Sequence, residues 1–459
     1  MFSPAGYLRR KVHIDCKNIQ AVTADDEEKL LFEGPGFIEI CENGCIKYKM
    51  YNRVKLTGQS IKYLNFNISN LREFCRLKAE EYDGIIWYGN TWLCTSWGSD
   101  FNGCFVITGN IDQMETVIDY GNYKKAYPVS TYSIYYLDYP RIPFTETLKT
   151  HVELGDRVIR QSYRKNLIKM NFHGRDISLE ESIDQDYLRI YGEYDYNLGV
   201  FSFEKWLMES LNFCVASILV PRMIVKYLDD SIKVFIKETR GDWRCSLIAP
   251  FMSDEQSGSF KKAFCSYMNY CAMNYCAKND NMKFSLLELS EVFLNICHAS
   301  NSSQQNFMEA LCIGCEHCFN KIVKPCEMST ISKKFLDKIE NYIKSISDEF
   351  DIDTYQQNRI ISFIGGLTYP AARQKLKLLV EKNIITQKQM QVWLKYRSKL
   401  LHGHTLYKAN IEEVEKEIAQ LICMFYRLVY QIIGYEGDCI DFDENENVFK
   451  YVPFKIVVI

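Results

Sequence analysis

The sequence predicts an α+β chain, with a β-rich part first and an all-α helical bundle after it. Two observations predict this. Early in the chain, short runs of apolar, aromatic and β-branched residues are broken by Asn-Gly, Gly-Asn and Pro. After Met282 the apolar residues recur at helical spacing, with capping residues between the runs. The expected division is a β-rich domain over 1–281, mixed α/β from about 180, a helical bundle over 282–435 and a tail over 436–459.

In order, Gly36 to Met50 reads GFIEICENGCIKYKM, two strand-like stretches around Asn43-Gly44. That dipeptide suits the positive φ angles of a type I′ turn, so a hairpin is expected. A second hairpin is expected in DGIIWYGNTWLCTSWG, with its turn near Gly89-Asn90, followed by the strand-like CFVITGN. STYSIYYLDYP is a further strand candidate that stops at Pro140. From Phe203 to Val220 the spacing is helical, and VKYLDDSIKVFIKE reads as a hairpin with its loop at Asp229-Asp230. No repeat of 20 to 50 residues is apparent, which argues against a solenoid.

The helical half begins with Met308, Leu311, Cys312, Cys315, Phe319 and Ile322 on one face. Phe335, Ile339, Tyr342, Ile343 and Ile346 make a second stripe. Pro370 suits a first helical turn, ahead of Ala372, Leu376, Leu379 and Val380. Thr386 with Gln389, and Asn410 with Glu413, have capping-box spacing. The last helix carries Ile411, Val414, Ile418, Leu421, Phe425, Val429 and Ile432, and Gly434 can stop it. The tail is acidic, then apolar, and its end is expected to be a strand docking back on another domain.

Bulk properties narrow the function classes. A chain of 459 residues exceeds what one core supports, so two or three domains are expected. Hydrophobic content of 47% against 25% charged residues excludes wholesale disorder. The formal net charge of −3 gives no molecule-wide attraction for nucleic acid, so such a function must sit on a local patch. The 18 cysteines would suit a disulfide framework only in an oxidising compartment. MFSPAGYLRRKVHIDC lacks the apolar core of a signal peptide, and LICMFYRLVYQII is interrupted by Arg427, so no membrane span is expected. A cytoplasmic protein is the expectation, with reduced cysteines serving as small apolar side chains.

The chemistry is concentrated in WLKYRSKLLHGHTLY, Trp393 to Tyr407. At about 100° per residue, Met390, Trp393, Leu394, Leu400 and Leu401 fall within roughly 60° of Arg397, and Lys388, Lys395 and Lys399 lie opposite. An arginine in the middle of an apolar stripe needs a carboxylate, a second chain or a phosphate. A buried structural ion pair satisfies this as well as a catalytic role does. His402 points about 140° away on an ideal helix, whereas His404 returns to the arginine's side. Either the helix end distorts or two copies combine across a dimer.

Arg397-Ser-Lys-Leu-Leu-His402 resembles the R-x4-6-H motif of HEPN ribonucleases, in which a His-Gly ending is common. The layout is similar to that of ApeA-like anti-phage proteins, with a β-rich domain ahead of such a bundle. The likeness covers roughly Leu287 to Tyr435, and Ser398 stands where the family often has Asn. It implies a HEPN bundle performing metal-independent, cofactor-free RNA cleavage, with tRNA among the possible substrates. The RNA 2′-hydroxyl attacks the adjacent phosphate and leaves a 2′,3′-cyclic phosphate and a 5′-hydroxyl. His402 then moves protons and Arg397 stabilises the phosphate, with His404 assisting or replacing His402. It also implies a homodimer or higher even assembly, a phage-derived trigger, and a sensing or targeting role for the first domain. The alternative is a non-catalytic HEPN scaffold that binds RNA or protein, with Arg397 structural.

Local charge agrees with an RNA partner. Between Pro370 and Lys408 nine basic residues face one acid, Glu381, and Lys388, Lys395, Lys399 and Lys408 are the candidate RNA contacts. Two solvated helix faces would look the same. The acidic stretch Glu436 to Glu446 is a candidate cover for this surface. Cys312, Cys315, His317 and Cys318 are weak candidate metal ligands, because core thiols on the apolar stripe explain them better and no metal is expected. There is no P-loop, dinucleotide fingerprint, GxSxG or HExxH.

Overall fold

The computed structural model describes the chain apart from residues 1–5, 9, 24–28, 56–73, 100–104, 120–130, 148–149, 155–156, 162–164, 183–185, 194–199, 229–230, 240–244, 246, 277–286, 324–332, 347–349, 351, 367–370 and 402–409. Two compact units emerge. One comprises Met1–Phe203 with Leu219–Trp243, the other Glu204–Ile218 with Arg244–Ile459. The division therefore falls earlier than the expected boundary at 281, and the mixed region from 180 is shared out between the two.

The first unit is built on β1 (Val12–Thr23), β2 (Leu30–Ile40), β3 (Ile46–Asn52), β4 (Phe74–Glu81), β5 (Ile86–Ser99) and β6 (Phe105–Asp119). They pair antiparallel in the order β6-β3-β2-β1-β4-β5, and β5 pairs with β6 again, so the six strands close into a barrel. Closure leaves these strands no free edge. Alternate residues point inward: Ile14 and Cys16, then Ile19 and Ala21 after a register shift, meet Ile38, Ile40, Tyr48 and Met50 in one buried core.

The sheet runs on from β6 through strands that come later in the sequence. These are β7 (Thr131–Tyr136), β10 (Leu167–Phe172), β11 (Arg175–Glu181), β12 (Leu188–Glu193), β13 (Met223–Tyr227) and β14 (Ser231–Lys237), in the order β14-β13-β7-β12-β11-β10. Between β7 and β10, β8 (Thr150–Leu154) and β9 (Arg157–Gln161) form a separate hairpin. The expected pairing of β13 with β14 is present, and its expected loop residues Asp229 and Asp230 lie outside the described residues.

Two turn readings change. At Asn43-Gly44 only the glycine is left-handed (φ 83), and its N–H reaches the Cys41 carbonyl at 2.9 Å. This is a three-residue loop ending in a left-handed glycine, not a type I′ turn. Gly89-Asn90 makes no turn at all and lies inside β5. The chain turns at Tyr82-Asp83-Gly84 (Gly84 φ 91), where the Gly84 N–H meets the Glu81 carbonyl. A Cβ on Gly89 would sit 3.0 Å from Ile111 Cγ2, and the β5–β6 register shifts just after Asn90. The glycine marks close approach and a bulge.

The second unit contains most of α1 (Val200–Val215), then α2 (Ser257–Cys276), α3 (Glu288–Ser300), α4 (Gln304–Ile322), α5 (Lys333–Ile346), α6 (Thr354–Gly366), α7 (Ala372–Glu381), α8 (Gln387–Leu401) and α9 (Ile411–Ile433). It is helical but not all-α, since β15 (Gly437–Asp443) and β16 (Val448–Phe454) form a hairpin at its end. That hairpin corrects the expectation for the tail. It stays with its own unit, where Ser259 Oγ lies 2.9 Å from Asp438 and the Met252 N–H donates to Tyr451 Oη at 2.9 Å.

At the centre stands α9. Every residue from Glu417 to Tyr430 is buried, as expected of a helix covered on all sides by α2, α4, α8 and β15. Asn410 caps it through the Glu412 N–H, and left-handed Gly434 ends it. By contrast α5 and α6 pack on each other and keep much of their apolar stripe outside: Phe335 and Tyr342 are exposed, and Ile343 is buried.

No helix among the described residues is long and apolar enough to cross a membrane. The described cysteines are free thiols.

Candidate functional site

The motif helix α8 starts where the sequence placed it. Thr386 and Gln389 exchange capping bonds of 3.0 and 3.1 Å. Trp393 anchors the helix on α4, donating its indole N–H to the Cys312 carbonyl at 2.9 Å and meeting Phe319 edge-on at 5.2 Å. Gln389, Val392, Trp393 and Tyr396 are all almost fully buried. The buried face is thus centred on Trp393 and Tyr396, about 70° round from Arg397. Arg397 stands at its margin, not in the middle of the stripe as its apolar neighbours suggested.

At that margin Arg397 meets Glu316 of α4. Nε donates to one carboxylate oxygen at 2.6 Å and Nη2 reaches the other at 3.5 Å. The side chains are 28% and 29% exposed, and no hydrogen bond from Nη1 is found among the described residues. A charged, forked donor is therefore pinned by one side and left open on the other. Nothing in the sequence singles out Glu316. It adjoins Cys315 at the edge of the α4 stripe, and 81 residues separate it from Arg397.

His402 and His404 lie outside the described residues, as does Lys408, and so does the side chain of Lys399. The described chain runs to Leu401, the last residue of α8, and resumes at Asn410. Lys395 bonds Glu417 at 2.7 Å and Glu413 at 3.0 Å, so it bridges α8 to α9. Burial works against the charge of Lys395, but those two carboxylates outweigh it and hold the ammonium above the usual lysine range. Tyr396 donates to the same Glu417, and burial together with that carboxylate pushes its hydroxyl well up. Lys388 lies 3.1 Å from Glu444 at the end of the acidic hairpin. Two of the candidate RNA contacts therefore already hold acids. Of the remaining basic residues, Arg373, Lys377 and Lys382 are exposed, whereas Lys375 is buried and donates to Asn320 at 2.7 Å.

The cysteine cluster is part of the core. Cys312, Cys315 and Cys318 face inward from α4 and are 1% exposed or less. Burial pushes the Cys312 thiol up to about 12 against the pull of Arg397, raises Cys318 to about 12, and holds Cys315 well above the usual thiol range. His317 points elsewhere, 3.4 Å from Glu288 but without hydrogen-bond geometry, and burial lowers its pKa. Among the described residues no group of three or more His, Cys, Asp or Glu is placed to hold a metal.

No protein-family model, curated protein or solved structure matches the chain.

Proposed function

We propose that this chain is a metal-independent endoribonuclease of the HEPN type that acts in anti-phage defence. One observation carries the reading: Arg397 is held by Glu316 at the rim of a buried helix, with part of its guanidinium open, on the helix that ends one residue before His402 in the sequence. In this reading α4, α8 and α9 are the heart of a HEPN bundle that works as a homodimer or higher even assembly. The barrel unit senses a phage-derived trigger or selects the RNA, tRNA included.

The chemistry follows from the residue types. A 2′-hydroxyl of RNA attacks the neighbouring phosphorus, and His402 accepts its proton. Negative charge collects on the phosphoryl oxygens, where the open edge of Arg397 donates to them. The P–O5′ bond breaks and the 5′-oxygen takes a proton, from His404 or from a histidine of a second copy. The products are a 2′,3′-cyclic phosphate and a 5′-hydroxyl, and the proton count is unchanged.

A second reading is favoured by the same contact. Because Glu316 already satisfies Arg397, the pair can be structural in a non-catalytic scaffold that binds RNA or protein. Total cellular RNA treated with wild type, Arg397→Ala or His402→Ala in EDTA separates the two. Cleavage leaving 2′,3′-cyclic ends, lost in both variants, is expected. Absence of cleavage by wild type, with phage extract present, would favour the scaffold.

A further inference from the structure

A cavity of about 610 Å³ opens in the second unit, away from the Arg397–Glu316 pair. That is within the range of about 300–1,000 Å³ usual for small-ligand sites. Its walls are Phe307 from the start of α4, Ile418 and Ile422 from α9, and Phe442 and Phe449 from the hairpin. Phe442 is buried, while Phe449, 5.0 Å from it ring to ring and tilted by 53°, is only half-buried. The mouth is lined by Glu412, Glu415 and Lys416 in the first turns of α9, with Asn447 at the hairpin tip.

The charges at this mouth differ from those on the opposite face of α9. There, Glu413 and Glu417 are bound to Lys395. Glu412, Glu415 and Lys416 have no side-chain hydrogen bond or ion pair with any described residue, and both glutamates are exposed. The cavity thus offers flat aromatic surface, carboxylate acceptors and one free ammonium. We infer that it binds a single unstacked nucleobase with a guanine-type edge, its ring against Phe449 and Phe442 and its attached phosphate towards Lys416. Guanine fits best among the bases because its N1–H and N2–H₂ put two donors side by side, matching the two oxygens of one carboxylate. Adenine and cytosine each set a ring acceptor beside their amino group, which a carboxylate repels, and uracil has a single N–H between two carbonyls. Stacking on aromatic side chains with recognition of the base edge is how single-stranded RNA is read.

The location gives the inference its use. Glu412 lies two residues after Asn410, the first described residue after His402 and His404 in the sequence. A base held here would therefore fix the register of a strand passing the proposed cleavage site. In that respect the inference rests on the ribonuclease reading, although nucleotide binding itself does not.

The test is calorimetric titration of the full chain with guanosine monophosphate and the adenosine, cytidine and uridine monophosphates. Guanosine monophosphate should bind tightest. Phe449→Ala should weaken it about fivefold or more, the lower end of what losing one aromatic–base stack costs. Glu415→Gln combined with Glu412→Gln should erase the preference among bases, and Lys416→Ala should erase the advantage of guanosine monophosphate over guanosine. Equal binding of all four nucleotides, no binding of any, or tighter binding of phenethylamine than of guanosine monophosphate would each overturn the inference; the last would make the cavity an organic-cation site. Arg397→Ala should leave nucleotide affinity unchanged. Failure of the pocket would leave wild-type cleavage intact, and failure of the ribonuclease reading would leave nucleotide binding intact, so the two can be told apart.

Discussion

Two arginine–carboxylate pairs in the same helical unit differ in what they leave uncovered. Arg427, in the buried stretch of α9, lies 3.4 Å from Asp441 of the terminal hairpin, and its side chain is 9% exposed. Arg397, at the end of α8, is held at 2.6 Å by Glu316 and is 28% exposed. The first pair ties a hairpin to a core helix and is largely buried. The second has the tighter contact and the more open surroundings. Solvent and salt weaken an exposed ion pair, so the Arg397–Glu316 pair contributes less to stability than its short distance alone would suggest. On the ribonuclease reading, the open part of the Arg397 guanidinium is the part proposed to receive the phosphate.

The comparison can be broken by mutation. Arg397→Ala should lower RNA cleavage about a hundred- to a thousandfold, the usual cost of removing a transition-state donor, with little change in the denaturation midpoint. Arg427→Ala should do the reverse. Leaving Asp441 without its partner should cost about 3 kcal/mol in urea unfolding, with cleavage per folded molecule unchanged. Should the two variants behave alike, the distinction between the pairs fails.

Glu316→Gln sharpens it. The neutral amide keeps a weaker hold on Arg397, so cleavage should fall about tenfold through misplacement of the guanidinium, with less than about 1 kcal/mol lost in stability. A stability loss as large as that of Arg427→Ala would make Arg397–Glu316 structural.

The smallest effect belongs to Lys395. Its folded pKa is raised, so its contribution is fully present below the unfolded lysine value of about 10.4 and is lost only as pH rises through the higher folded value. Lys395→Met should therefore cost under about 1 kcal/mol, by the same amount at pH 6 and pH 9. A gap that closes between those pH values would show that another group carries the effect.

Local pattern made much of this legible. The Thr386–Gln389 box, the Asn410 cap, left-handed Gly434 and the β13–β14 pairing depend on residues a few positions apart, and each lies where the sequence puts it. Readings that depended on distant neighbours changed. Gly89 looks like a turn until Ile111, 22 residues on, is found against it. The neighbours of Arg397 suggested a central position in the stripe because helical spacing weighs all apolar residues alike. The site of contact with α4 and α9 instead favours Trp393 and Tyr396 as its centre. Glu316 was invisible for the same reason, as no local signal pairs residues 81 positions apart. The barrel was foreseen only as β structure, since closure depends on β5 returning to β6 as well as pairing with β4.

That closure bears on the order in which a growing chain can fold. The six barrel strands lie between Val12 and Asp119, and the later strands that share their core, β7, β13 and β14, are complete by Lys237, so the first unit can form while the rest of the polypeptide is still being synthesised. The second unit is under the opposite constraint. Its earliest piece, Glu204–Ile218, must wait about two hundred residues for α9, the helix around which the unit is assembled. A nascent chain released before α9 emerges would carry a finished barrel and the Arg397 helix without its buried neighbour, so the chain folds its first unit well before the proposed active unit can take shape.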